Sequence, residues 1–263
     1  MVEVKKLKVI GIIPARMGSS RFPGKPMVRI CGMPMIGHVY FRSKMSRLLD
    51  EVIVATCDQE IFDYVHSIGG KAVMTASSHQ RASDRAAEAM QKFEKNSGSK
   101  VRIAVMIQGD EPMLNPAMLD AVVRPLIKND LLIANLMTPL EAQHHDDPND
   151  VKVVVDKKQN ALYFSREPIP SSKKSTGKLP IWKQIGIIAF QRDFLLKFLR
   201  LPSTPLEKIE SVDMLRVLEH GYDLKMVPVF DKTYGVDIPE HVHLVESLLK
   251  KDVLSKKYLK LKD

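Results

Sequence analysis

The chain has 263 residues, of which 44% are hydrophobic, and its formal net charge is +9. That length and composition can bury a full core, as one large domain or as one domain with a subdomain. No segment approaches the roughly 18 uncharged apolar residues of a membrane span, so membrane insertion is not expected. The excess of positive charge suits a protein that handles anionic small molecules.

Basic residues are concentrated in the last fourteen positions, which carry six Lys against two Asp. A basic tail of this kind could contact nucleic acid or an anionic membrane. We prefer the simpler interpretation of a solvated, partly frayed helix end, and no nucleic-acid partner is expected.

The two cysteines, Cys31 and Cys57, form no C-x-x-C pair and have no His at zinc spacing. This favours reduced thiols and a cytoplasmic protein.

The first half of the chain alternates predicted strands and helices. Short runs of branched apolar residues predict strands over 7–13, 51–56, 71–75 and within 99–112. Apolar residues at helical spacing predict helices over 35–49, 59–70, 83–93 and 115–129, and Pro125 should bend or end the last of these. This order predicts a mostly parallel sheet layered by helices, with right-handed connections.

The second half favours a smaller mixed or antiparallel part. Strands are predicted within 131–140, 151–166 and 183–191, with a hairpin loop at Lys157–Asn160. A basic loop covers 171–180, and helices are predicted over 192–200, 205–221 and 239–251.

The stretch "PARMGSSRFPGKP" places three cations, Arg16, Arg21 and Lys25, just after the first strand. Gly18 lets the backbone approach an anion, Arg16 can donate to two phosphate oxygens, and Lys25 is a mobile point charge. The stretch is not a Walker A loop, because Pro26 offers no hydroxyl for magnesium and no N–H for phosphate. A phosphate site is preferred over a solvated basic turn.

Two acidic turns suggest a magnesium site. Asp110 and Glu111 follow the fourth strand in "QGDEP", and Asp237 lies in "YGVDIPE" before a helix. Each has an ordinary alternative, a solvated turn for the first and a helix cap for the second. Two carboxylates that bind one Mg²⁺ would explain both. His144 to Asp147 are also metal-ligand residue types, but a solvated loop is the simpler interpretation.

Several motifs occur together in an order that resembles the 3-deoxy-manno-octulosonate cytidylyltransferases, the CMP-Kdo synthetases of lipopolysaccharide synthesis. The motifs are "IIPARMGSSRFPGKP", "VIVAT", "IQGDEP", "DVKVVVD", "ALYFSREPIP", "PLEKIESVDMLRVL" and "GVDIPE", from about residue 8 to 248. The resemblance implies a nucleotide-binding α/β domain (1–135 plus 220–263), a sugar-acid-binding and dimerisation part (136–219) and a homodimer. It also implies a reaction in which the anomeric hydroxyl of the sugar acid attacks CTP and expels pyrophosphate.

The same resemblance implies the functional residues. The residues that match the family's catalytic positions are Arg16, Lys25, Asp110 and Asp237, and the two aspartates match its magnesium ligands. Those that match its nucleotide contacts are Pro14, Ala15, Arg16, Gly18, Arg21, Lys25, Ser83 and Gln108. Those in the region that would bind the sugar acid are Arg166, Gln184, Glu210 and Asp213.

The chain departs from the family's usual pattern at several of these places. Ala82 stands where a glycine is usual, Gln184 where a histidine is usual, and Asp213-Met214 where Glu-Gln is usual. The predicted triphosphate and metal residues are intact. We therefore expect the nucleotide chemistry to be kept and the choice of sugar to be shifted. The alternatives are the same chemistry on an amino-modified Kdo or a nine-carbon, sialic-acid-like sugar, and a basic nucleic-acid-binding protein without catalysis.

Overall fold

The computed structural model describes residues 8–18, 22–173 and 181–259. The chain divides into two compact units, unit 1 (Met1–Asp120 and Lys232–Asp263) and unit 2 (Ala121–Asp231). The predicted division assigned residues 121–135 and 220–231 to the first part, whereas the structure places them in unit 2. The roles assigned to the two parts stay predictions.

Eleven strands occur in the described residues. They are β1 (Lys8–Ala15), β2 (Arg29–Ile30), β3 (Met33–Pro34), β4 (Glu51–Thr56), β5 (Lys71–Met74), β6 (Val101–Ile107), β7 (Ile133–Pro139), β8 (Lys152–Val155), β9 (Ala161–Ser165), β10 (Trp182–Gln191) and β11 (Lys225–Pro228).

The described residues also form nine α-helices, and none of these is long and apolar enough to cross a membrane. They are α1 (Met35–Lys44), α2 (Gln59–Ser67), α3 (Ala82–Ser97), α4 (Pro116–Asn129), α5 (Arg192–Arg200), α6 (Pro205–Glu210), α7 (Met214–Glu219), α8 (His241–Leu249) and α9 (Lys256–Leu259). Pro125 lies inside α4 but does not end it, since the helix continues to Asn129.

Unit 1 is built on a parallel sheet in the order β6–β1–β4–β5. Its central strands are apolar and buried, as a parallel sheet covered by helices requires. Helix α3 packs against β1 and β6, while α1 and α2 pack against β4. The predicted α/β class is therefore confirmed. The segments that follow β1, β4 and β6 leave the sheet at the same edge, where ligands of such sheets bind.

Unit 2 is mixed, as predicted. Strand β11 pairs with β7 in parallel, and the pairs β7–β10, β10–β8 and β8–β9 are antiparallel. Strands β8 and β9 form the hairpin predicted around Lys157–Asn160. Strand β11 was not predicted, and the basic loop at 171–180 lies largely outside the described residues.

The prediction of one helix over 205–221 is wrong. Helix α6 ends at Glu210, and Ser211 has a φ of 53°, in the left-handed region that a helix interior excludes. After the break, Arg216 of α7 turns back onto Glu207 of α6, with Nε 2.7 Å from Oε2. Both side chains are almost fully buried, at 2% and 4% exposure. The break therefore forms a buried ion pair that a straight helix would not provide.

The preference for a frayed C-terminal tail is wrong for the part that the structure describes, although the lysines there are exposed, as a solvated segment requires. Tyr258 of α9 is only 2% exposed. Its hydroxyl lies 2.9 Å from Nδ1 of the buried His38 and 3.3 Å from Nε of Arg42. Arg42 also pairs with Asp252. The segment before residue 260 is therefore part of the core of unit 1.

Candidate active site

Three distant segments of unit 1 meet at the ammonium group of Lys25. Its Nζ lies 2.8 Å from Oδ2 of Asp110 and 3.6 Å from Oδ1 of Asp237. The three side chains are 13%, 26% and 41% exposed, respectively, so solvent can reach the carboxylates. The two aspartates that the sequence proposed as a pair thus contact one and the same ammonium group.

Backbone contacts explain why these segments meet. The N–H of Val236 donates to the carbonyl of Asp110 at 2.9 Å, which joins the two acidic turns. The N–H of Asp237 donates to Nδ1 of His241 at 3.3 Å. At Gly235, a Cβ atom would lie 3.3 Å from Oε1 of Glu111, so any larger residue would crowd that carboxylate.

The first loop is closed by hydrogen bonds of its own. Gly24 has a φ of 72°, and its N–H donates to the carbonyl of Met17 at 2.9 Å. The N–H of Met17 in turn donates to Oδ2 of Asp58 at 2.8 Å. Arg16 and Gly18 on either side are exposed. Arg21, predicted as a phosphate contact, lies outside the described residues.

The residues predicted to contact the base lie at or near the carboxyl edge of the sheet. Pro14 and Ala15 end β1, with Ala15 paired to Thr56, and Gln108 follows β6 and is exposed. Ser83, at the start of α3, is only 1% exposed, and its hydroxyl has no hydrogen-bond partner among the described residues. A bound ligand is one way to satisfy a buried hydroxyl of this kind.

The predicted sugar-acid residues lie in unit 2 and are held differently. The Glu210 carboxylate accepts hydrogen bonds from the Ser165 hydroxyl (2.8 Å), the Tyr163 hydroxyl (3.2 Å) and the Arg166 N–H (2.8 Å). Burial would raise the pKa of Glu210, but these three donors outweigh it and lower the pKa. The Arg166 guanidinium donates from Nε to the Glu210 carbonyl and from Nη1 to the Pro148 carbonyl, both at 2.8 Å.

Gln184 and Asp213 complete the predicted sugar-acid set. The Gln184 Nε2 donates to Oδ1 of Asn135 at 2.6 Å. Asp213 is half-buried directly before α7. The assignment of all four residues to a sugar acid stays a prediction.

A second group of metal-ligand residue types occurs in unit 2, at His144, Asp147 and Asp150. Asp147 accepts bonds from the backbone and side chain of Asn149, and Asp150 pairs with Lys183 at 2.8 Å. These contacts explain both carboxylates without a metal ion: Asp147 stabilises a turn, and Asp150 pairs with a residue of β10.

Sequence reasoning missed the residues that hold the candidate site in place: Asp58, His241 and Asn135. Asp58 follows β4 at the same sheet edge as the first loop, so its position in the sequence could have predicted a contact with that loop. Nothing in the sequence around His241 predicted its contact with Asp237, since histidines are common near the polar end of a helix. Asn135 lies inside an apolar strand, and a buried amide there needs hydrogen-bond partners.

Comparisons with known proteins point to one family. A family model described as Cytidylyltransferase matches residues 10–226. A 3-deoxy-manno-octulosonate cytidylyltransferase of Syntrophobacter fumaroxidans is 43% identical over 251 residues, covering 94% of this chain and 99% of the relative. A mitochondrial protein of the same name from Arabidopsis thaliana is 40% identical, covering 94% of this chain and 85% of the relative.

Solved structures give the same result. A CMP:2-keto-3-deoxy-manno-octonic acid synthetase complexed with CTP has a TM-score of 0.86 and 38% identity, covering 93% of this chain and 99% of that one. A cytidylyltransferase of Leptospira borgpetersenii, at 16% identity and a TM-score of 0.64, shares the fold. The class of protein is thus a nucleotidyltransferase, as predicted. The family match and the relatives go further: the chain belongs to the 3-deoxy-manno-octulosonate cytidylyltransferase family.

Proposed function

We propose that the chain transfers the cytidylyl group of CTP to the anomeric hydroxyl of 3-deoxy-manno-octulosonate (Kdo), giving CMP-Kdo and pyrophosphate for lipopolysaccharide synthesis. The observation that carries the proposal is the meeting of Asp110 and Asp237 at Lys25. The names of the relatives, and the CTP bound in the similar synthetase, support the choice of substrates.

The residues present fit a divalent metal ion. Two solvent-accessible carboxylates, Asp110 and Asp237, are the hard oxygen ligands that Mg²⁺ prefers. Mg²⁺ bound there would supply charge stabilisation and lower the pKa of the sugar hydroxyl. Such an ion would compete with the Lys25 ammonium for the same carboxylates. Lys25 could then turn to the triphosphate.

The cations of the first loop would stabilise the departing pyrophosphate. The pyrophosphate leaving group gains negative charge in the transition state, and preorganised cations stabilise that charge. Lys25 is held by two carboxylates at the end of a closed loop, and Arg16 is exposed at its start. We assign Lys25 and Arg16 to the phosphates, and Pro14, Ala15, Ser83 and Gln108 to the nucleoside.

The test is release of pyrophosphate from CTP with Mg²⁺ and a panel of acids: Kdo, 8-amino-Kdo and a nine-carbon sialic acid. We expect release that requires both CTP and the eight-carbon acid, and that stops when EDTA removes the metal. Release with the other nucleoside triphosphates at the same rate would contradict the cytidylyl assignment. Binding to RNA that weakens steeply with salt, without release of pyrophosphate, would favour the nucleic-acid alternative.

A second candidate substrate is an amino-modified Kdo. The observation that favours it is Gln184, where the family usually has histidine, a residue that can carry positive charge. A neutral amide in this place would repel an ammonium group less. The test is the ratio of kcat/KM for 8-amino-Kdo to kcat/KM for Kdo. We expect a ratio above one, and a ratio of one or less would contradict this candidate.

Homodimerisation through unit 2, and location in the cytoplasm, complete the proposal as the resemblance and the composition suggest them. Light scattering of the purified protein would measure its mass against the 29.7 kDa of one chain. A monomeric enzyme with full turnover would remove the dimer from the proposal and leave the reaction in place.

A further inference from the structure

Asn135 is a fully buried amide in β7 whose orientation is fixed by its partners. Its Nδ2 lies 2.6 Å from the carbonyl oxygen of Ile185 and 3.0 Å from that of Ile187. Both partners can only accept hydrogen bonds, so the atom that faces them has to be the nitrogen. The two carbonyls lie where β10 shifts its register against β7, between Gln184 and Ile188. Asn135 therefore donates the hydrogen bonds that two backbone carbonyls in the irregular part of β10 need.

The orientation of Asn135 sets the orientation of Gln184. With Nδ2 committed to the carbonyls, Oδ1 of Asn135 is an acceptor, and the Gln184 atom 2.6 Å from it has to be the donor Nε2. The amide of Gln184 then presents Oε1 on its other side. Among the described residues no group donates to that oxygen. The half-buried Gln184 thus offers an open acceptor.

The strand pairing places Gln184 and Arg166 at the same end of β8 and β9. Lys183 is opposite Lys152, and Lys152 is opposite Ser165. One residue further along, the N–H of Gln184 donates to the Val151 carbonyl at 2.8 Å, and Arg166 follows Ser165. The two residues assigned to the sugar acid therefore both lie one residue beyond the last paired positions at that end of the three strands β8, β9 and β10.

We propose that Oε1 of Gln184 accepts a hydrogen bond from a donor group of the sugar acid, a hydroxyl or an ammonium, and that Asn135 is the positioning residue that makes Gln184 an acceptor. This inference rests on the proposed function, because it assigns a sugar acid to unit 2. It goes beyond that function by stating which hydrogen-bonding group the substrate has to offer.

The test uses deoxyfluoro analogues of the sugar acid, one for each hydroxyl that is not the nucleophile. Fluorine is close to hydroxyl in size but cannot donate. With the native chain, we expect one analogue to lose on the order of 10- to 100-fold in kcat/KM of pyrophosphate release. In Gln184→Met, of similar length but without the amide, the same analogue should perform like the parent sugar. Gln143→Met, the same change at an exposed site of unit 2, should keep the native discrimination.

Asn135→Leu tests the positioning role. It removes the fixed partner, so the Gln184 amide can rotate and offer either end to the substrate. We expect KM for the parent sugar to rise and the discrimination against the fluoro analogue to fall, with kcat for the parent sugar changed less. If Asn135→Leu does not fold, the comparison of the native chain with Gln184→Met still decides the assignment of the acceptor.

Two results would overturn the inference alone: turnover of the parent sugar with no analogue impaired, or an impairment that is the same in Gln184→Met. Absence of pyrophosphate release with every sugar acid would overturn the proposed function and this inference together. The two failures are therefore distinguishable.

Discussion

The candidate site of unit 1 and the Glu210 network of unit 2 use charged residues in opposite ways. In unit 1, Asp110 and Asp237 share one ammonium, and each retains exposed oxygen surface. In unit 2, the Glu210 carboxylate has three donors, and the Arg166 guanidinium donates to backbone carbonyls on two sides. The same kinds of side chain are thus accessible to a ligand at the unit 1 site and already hydrogen-bonded within the protein in the Glu210 network.

Because of this difference, substitutions at the two places should change the free energy of unfolding by different amounts. An ion pair that solvent reaches contributes little to the free energy of unfolding. A buried pair is expensive to break, because the remaining charge is left without a partner. Substitutions at the unit 1 site should therefore lower activity and spare stability, whereas those in the charged network of unit 2 should lower stability first. Four experiments test that contrast.

Asp110→Asn should have the largest effect. It removes a charge that holds the metal ion in the proposed function, so we expect kcat/KM to fall at least about 1,000-fold, or about 4 kcal/mol of transition-state stabilisation. The free energy of unfolding should change by less than about 1 kcal/mol, because Asp110 is 26% exposed and Lys25 keeps Asp237 as a partner. Pyrophosphate release and urea denaturation measure the two quantities.

Asp193→Asn is the matched control for this change, since its side chain is 90% exposed. It should leave kcat/KM unchanged and cost about 1 kcal/mol or less of the free energy of unfolding. If Asp110→Asn kept native turnover at saturating Mg²⁺, or if it unfolded the protein, the view of unit 1 as a site of available ligands would be wrong.

Arg216→Met should have the largest effect on stability. It leaves Glu207, 4% exposed, without its partner, and it removes the contact of the guanidinium with the Phe198 ring at 4.8 Å. We expect the free energy of unfolding to fall by about 3–5 kcal/mol. Arg192→Met breaks an exposed pair with Asp193 and should cost about 1 kcal/mol or less. Equal losses in the two variants would show that burial does not set the cost.

The pH dependence of stability in unit 1 above pH 4 should come mainly from the core residue His38. Burial, together with the Arg42 guanidinium, lowers the pKa of His38 to about 4, while its hydrogen bond to the Ile30 carbonyl acts in the opposite direction. The unfolded chain binds a proton here near pH 6.5, and the folded chain does not until about pH 4. This contribution to stability is therefore complete above pH 6.5 and is lost as the pH falls towards 4.

The loss over that range should be about 3 kcal/mol. His38→Gln cannot titrate and keeps a donor for the Ile30 carbonyl. Its melting temperature should therefore fall less between pH 7 and pH 4.5 than that of the native chain. Parallel curves for the two proteins would contradict the assignment to His38.

Local patterns predicted most of the fold, and tertiary contacts explain the exceptions. The helix over 192–200 and the strand over 51–56 were predicted to the residue, because periodicity and flanking polar residues define them. The continuous helix over 205–221 was wrong, since the pairing of Glu207 with Arg216 outweighs helix propensity at Ser211. The preference for a frayed tail failed in the same way, because Tyr258 finds its partners more than 200 residues earlier.

The candidate site followed the same rule. Asp110 and Lys25 were named from the sequence because each follows a strand and carries a charge that phosphate chemistry needs. The residues that orient them, such as Asp58, act through single hydrogen bonds across the fold, and no local pattern reports these. Sequence thus identified the groups that could touch a ligand, and the structure added those that hold them.

The smallest expected effect on activity is that of replacing His241, which positions the turn that carries Asp237. Its Nδ1 accepts the N–H of Asp237 at 3.3 Å, so it fixes the backbone of the turn rather than the carboxylate itself. His241→Leu removes the acceptor, and we expect kcat/KM to fall about 3- to 10-fold, the value of one ordinary hydrogen bond. His241→Asn restores an acceptor close to the position of Nδ1 and should recover most of that loss. His243→Leu, at an exposed position two residues along α8, should change nothing. If both leucine variants fell equally, α8 as a whole, rather than the bond to Asp237, would set the geometry of the turn.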